Sequence, residues 1–196
     1  MPVLQKLMFF LKTQDERTFI ESMITCFAAP VLLGIKCGAL INLCRSGEDL
    51  RAAWRAVKGH LSRKLHLEFA EIKASRRSVI LFIYRRELLA SRLSERDSAA
   101  FLERLGYDCT DNFPLGCIED LVTRFEWGIP HEVGIFLGYP LDDVVGFIKN
   151  EGRREKISGY WKVYGNEKYA LEKFGEYRNA ETNAALKMLK GSLTVR

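Results

Sequence analysis

The chain has 196 residues, 47% apolar and 28% charged, a balance that suits a globular protein with a real core and excludes a disordered one. It reads as a single domain over residues 1–196, without low-complexity tracts or an internal repeat. The formal charge of +5 favours anionic partners modestly. Its basic pairs (Arg76-Arg77, Arg85-Arg86, Arg153-Arg154) are scattered, however, whereas a nucleic-acid groove needs a contiguous basic face with aromatics between the charges. Nucleic acid is therefore not the expected partner.

In chain order, Leu7 to Leu11 is apolar like the start of a leader, but Lys12, Asp15, Glu16 and Arg17 follow without a small-residue cleavage site. Thr13 with Glu16 has the spacing of a capping box before a helix carrying Phe19, Ile20, Met23, Ile24 and Phe27. The longest apolar run, Cys26 to Ile35, contains Pro30 and falls well short of the roughly 20 residues that span a bilayer. No membrane span and a cytoplasmic location are the expectation. A short strand follows near 39–43. Ser46 with Asp49 then opens a helix with the stripe Leu50, Ala53, Trp54, Val57 and Leu61.

The clearest β signal is a hairpin. Residues 67–74 alternate with a change of phase near Ala70, which predicts a bulge, and residues 79–84 form a continuous apolar run like a central strand. Short helices are predicted from Glu87 to Leu93, from Ser94 to Gly106, from about Asn112 to Gly128, after Pro130, and over Leu141 to Lys149. A strand over 161–164 precedes a long helix capped by Asn166, with Ala170, Leu171, Phe174, Tyr177, Ala185 and Met188 as its stripe. The fold class is α+β, a small, mostly antiparallel sheet covered by several helices.

Cysteines at 26, 37, 44, 109 and 117 include no C-x-x-C pair, so neither a zinc ribbon nor a redox dithiol is indicated. Cys26, Cys44 and Cys117 lie among apolar residues and read as small buried hydrophobes, a usage that suits a reducing compartment. Phosphate-cradling loops, dinucleotide glycine fingerprints and nucleophile elbows are absent. His131-Glu132 begins like a zinc protease helix, but Ile135 stands where the second histidine belongs. No metal site is expected, and the cofactor is left open.

What remains is a polar and aromatic constellation between Pro130 and Tyr164. His131 and Glu132 follow Pro130 at a helix start, where the dipole favours the carboxylate and a neutral imidazole. They are the candidate catalytic pair, against the alternative that they only cap and pack. Asp142 and Asp143 read as first-turn capping residues. Lys162 and Tyr164 share one face of their strand, opposite Trp161 and Val163, and could face a cleft or solvent. Lys162, Tyr164, Lys36 and Arg85 are the candidate groups for a small anionic ligand. Gly134 with Gly138, and Gly34 with Gly38, read as sites of close packing. Three functions stay open: a small-ligand-binding protein or enzyme, a protein-interaction module built on Phe136 to Phe147, and a nucleic-acid binder.

The run His131-Glu132-Val133-Gly134-Ile135-Phe136-Leu137-Gly138-Tyr139-Pro140, then Asp143-Val144, Gly146-Phe147-Ile148 and Gly159-x-Trp161-Lys162-Val163-Tyr164, resembles the signature of an uncharacterised bacterial family of unknown function. Ala29-Pro30 to Lys36 and Tyr84-Arg85 match weaker upstream blocks, so the resemblance covers nearly the whole chain. The family pattern has a cysteine where this chain has Ala28, and another where it has Ala180, three residues after Tyr177. This departure implies that no cysteine nucleophile or thiol ligand acts at those places. The resemblance implies no activity, cofactor or fold.

Overall fold

A computed structural model describes residues 2–45, 49–108 and 112–193. The elements are α1 (Val3–Leu11), α2 (Glu16–Phe27), α3 (Ala29–Leu32), β1 (Gly38–Cys44), α4 (Leu50–Leu65), β2 (Glu68–Ala74) and β3 (Ser78–Tyr84). They continue with α5 (Arg86–Leu93), α6 (Arg96–Arg104), α7 (Leu115–Arg124), α8 (Val133–Phe136), α9 (Leu141–Lys149), β4 (Ile157–Ser158), β5 (Lys162–Val163) and α10 (Glu167–Leu193). The fold is α+β. Its main sheet has the order β1-β3-β2, antiparallel throughout, and β4 with β5 forms a separate two-stranded ribbon. The strand predicted near 161–164 belongs to that ribbon.

β3 is apolar at every position from Val79 to Ile83 because both of its faces are covered. Val79, Leu81 and Ile83 point, with Ala39, Ile41 and Leu43 of β1, into a core shared with α1, α2, α4 and α10. Phe82 and Tyr84 point the other way, into a core built by α5 to α9. The phase change predicted near Ala70 is a bulge between Glu71 and Lys73, which moves Ala74 to the side occupied by Phe69. The sheet thus lies between two helical layers.

Leu7 and Leu11, in the stretch that reads like the start of a leader, are buried on α1, which packs against α10. α2 is capped by Asp15, whose carboxylate accepts from Thr18 N at 2.9 Å; Thr13 instead donates its hydroxyl to Phe10 O at the end of α1. Asp49 caps α4 by accepting from Ala52 N at 3.0 Å, and Ser46 lies outside the described residues. Asn166 precedes α10 and accepts from Tyr169 N at 3.1 Å. Leu171 is exposed rather than part of the buried stripe of α10. Of the cysteines read as buried, Cys26 is buried and free, Cys44 is exposed, and Cys117 is buried and disulfide-bonded. Cys109 lies outside the described residues. Among the described residues no helix is long and apolar enough to cross a membrane, and no group of His, Cys, Asp or Glu could hold a metal ion.

Candidate ligand-binding groove

Part of the Pro130–Tyr164 run converges: His131, Tyr139, Asp143 and Lys162 line one cavity, while Glu132 and Tyr164 lie outside it. His131 is exposed and packs edge-on against Phe147, 5.0 Å between ring centres, at the rim of a cavity of about 340 Å³. Glu132, its sequence neighbour, points away into the core behind α8. There it accepts from the Tyr107 hydroxyl at 3.0 Å and lies 3.6 Å from Arg124, whose guanidinium covers the Tyr107 ring. The two side chains face different surroundings, His131 the cavity and Glu132 the core. Both sit in the turn before α8, which spans only four residues.

Asp143 is not a capping residue. It is 2% exposed and accepts from the Trp161 indole, Tyr164 N and Gly165 N, each at 2.7 Å, so it ties α9 to the β4–β5 ribbon. Lys162 lines the same cavity as His131, but its ammonium donates to Gly152 O at 2.6 Å and pairs with Glu155 at 2.9 Å. Tyr164 packs on Gly146 with its hydroxyl buried and without a partner among the described residues. Arg85 lies over Gly34, and its backbone N–H donates to Cys37 O. Gly134 does serve close packing, since a Cβ there would come within 2.7 Å of Val144. Gly34 and Gly138, by contrast, hold left-handed turns with φ of 73° and 77°.

Lys36 alone of the sequence candidates stands in a second, larger cavity of about 500 Å³. One wall is the outer edge of β1; the others come from Met23 and Phe27 of α2, Leu137 and Tyr139 after α8, Tyr160, and Glu181 of α10. The Lys36 ammonium lies 5.3 Å from the Tyr139 ring centre and 5.4 Å from that of Tyr177. Those ring faces stabilise a cation. Burial opposes the charge and pulls the amine down to about 8, only partly offset by Cys37 and Glu181. Among the described residues no carboxylate comes within ion-pair distance of it.

Glu181 is buried, accepts from the Tyr160 hydroxyl at 2.8 Å, and has its proton affinity raised by desolvation against the opposing pull of Tyr160, Lys36 and Arg178. It breaks the apolar stripe of α10 between Tyr177 and Ala185, the one signal of it in the sequence. The β1 edge adds polar groups of its own. Arg85 N donates to Cys37 O and Arg45 N to Arg77 O, so the odd-numbered residues of β1 bond toward β3. Leu40 and Asn42 therefore turn their backbone N–H and C=O groups outward, along the cavity wall.

The site is thus a groove at an open sheet edge, with Lys36, Glu181 and Asn42 set in a lining that is otherwise aromatic and apolar. The chain matches the family model described as a protein of unknown function (DUF3793) over residues 24–195, and it belongs to that family. None of the curated proteins and none of the solved structures matches it.

Proposed function

We propose that the chain binds a small organic molecule with an oxygen-rich, acidic head and an apolar body in the groove beside β1. The observation that carries this reading is Lys36, a half-buried cation that two tyrosine rings hold over a cavity, with no carboxylate among the described residues in ion-pair distance. An ammonium kept in such surroundings costs stability unless a ligand uses it. The head meets Lys36, Glu181 and the outward N–H groups of β1, while Met23, Phe27 and Leu137 accept the body. The Phe136–Phe147 stretch, which the sequence offers as an interaction surface, has Phe136 and Val144 buried and supports a partner face less well. His131 and Lys162 remain at the smaller cavity and take no part in this reading. The supporting experiment is a thermal-shift screen with short oxo, hydroxy and aromatic carboxylic acids. Acids that stabilise the wild type and leave Lys36→Met unmoved support the groove; equal shifts in both proteins, or none in either, count against it.

A second reading follows from the β1 edge. An extended peptide could pair with the outward groups of Leu40 and Asn42 as an added strand. It predicts binding that survives Lys36→Met, since its affinity rests on the backbone.

A further inference from the structure

Resting on the groove reading above, we propose that Lys36 is a nucleophilic amine that forms an imine with the carbonyl carbon of a small oxo acid. The geometry supplies each part of that step. The amine sits inside a cavity rather than in bulk solvent, and no carboxylate among the described residues holds it as an ion pair. A buried carboxyl, Glu181, lines the same cavity and is oriented by the Tyr160 hydroxyl. The outward backbone N–H groups of Leu40 and Asn42 are hydrogen-bond donors for the substrate's own carboxylate.

The neutral Nζ adds to the carbonyl carbon, forming the N–C bond as the C=O pair moves onto oxygen. That oxygen takes one proton from the Glu181 carboxyl and one from the nitrogen, and leaves as water. The nitrogen's second proton goes back to the Glu181 carboxylate. The sum is amine plus carbonyl giving imine plus water, with no oxidant or reductant.

The pull of burial on the Lys36 amine supports the step by leaving more of it unprotonated near neutral pH. With its amine near 8, about a tenth of Lys36 is neutral at pH 7, against well under a thousandth of an ordinary lysine. The β1 edge donors and the carbonyl-directed amine together select an oxo acid over a plain carboxylate, which lacks the electrophilic carbon.

The test uses the full chain and glyoxylate, the smallest oxo acid, at limiting concentration with cyanoborohydride at pH 7, followed by peptide mass spectrometry of every lysine. Lys36 is expected to be carboxymethylated at least about tenfold faster than the median lysine. Glu181→Gln should slow Lys36 about tenfold through loss of the proton donor, even though losing the Glu181 charge leaves more of the amine neutral, and should leave the other lysines unchanged. Modification of Lys36 no faster than that of surface lysines overturns the imine, as does an unchanged Lys36 rate in Glu181→Gln. The labelling is read on the wild type, so it does not depend on any variant folding. The thermal-shift screen separates the two levels. Acid binding that is lost in Lys36→Met without selective trapping retains the groove and removes the imine, whereas failure of both removes both.

Discussion

The Asp143 carboxylate accepts the Trp161 indole N–H at 2.7 Å while also accepting two backbone N–H groups from the end of the β4–β5 ribbon. Three donors on one buried carboxylate make it the fastening between α9 and the segment that carries Tyr160. Asp143→Ala should cost roughly 3 kcal/mol in urea unfolding, and Asp143→Asn, which keeps one acceptor oxygen, about half of that. In the alanine variant the Trp161 indole N–H resonance should move toward the position of a solvent-exposed indole.

His131 and Glu132 should behave oppositely when replaced. Glu132→Gln takes away the charge that faces Arg124 and weakens the bond from Tyr107, so a loss of about 2 kcal/mol is expected. His131→Ala should stay within about 0.5 kcal/mol of wild type, because the imidazole is exposed. Equal losses would mean that the two residues act together.

The uneven legibility of the chain follows from these two cases. The strands near 39–43, 67–74 and 79–84 and the long last helix could be read because alternation and 3.6-residue stripes record which faces are buried. The bulge registered as a change of phase. Direction within a turn leaves no such record: adjacent residues before α8 send one side chain to solvent and the other into the core. Nor does the sequence show that Lys162 spends its charge on Gly152 and Glu155, since both are loop contacts. Lys36 was legible as a cation just past the apolar run that ends at Ile35. Its partners Tyr177 and Glu181 are more than 140 residues away in sequence, and only the break in the α10 stripe hinted at them.

Lys36→Met should make the protein more stable, by about 1–3 kcal/mol at pH 7, in a comparison of urea midpoints. Burial holds the amine at about 8 against its ordinary 10.5, and keeping it charged below that pH opposes folding. The lost contacts with Tyr139 and Tyr177 offset part of the gain. A less stable variant would assign Lys36 a structural role.

The same pair of proteins gives a pH dependence. Between about 8 and 10.5 the unfolded lysine keeps its proton while the folded one has lost it, so wild-type stability gains on the variant as pH rises through that window. Cys26, Cys37, Tyr139, Tyr160, Tyr177 and Glu181, the groups around Lys36, titrate in both proteins. Cys37 and Glu181 hold their protons more tightly in the variant, which lacks the lysine charge, and the other four cancel in the difference. The advantage of Lys36→Met should shrink with rising pH; a constant or growing advantage contradicts the assignment.

The most direct measurement is a crystallographic fragment screen with small oxo and hydroxy acids on the wild-type protein. Fragment density between Lys36, Glu181 and the outer edge of β1 is the predicted result. Fragments bound only beside His131 and Phe147, with the Lys36 groove closed to all of them, would contradict the account.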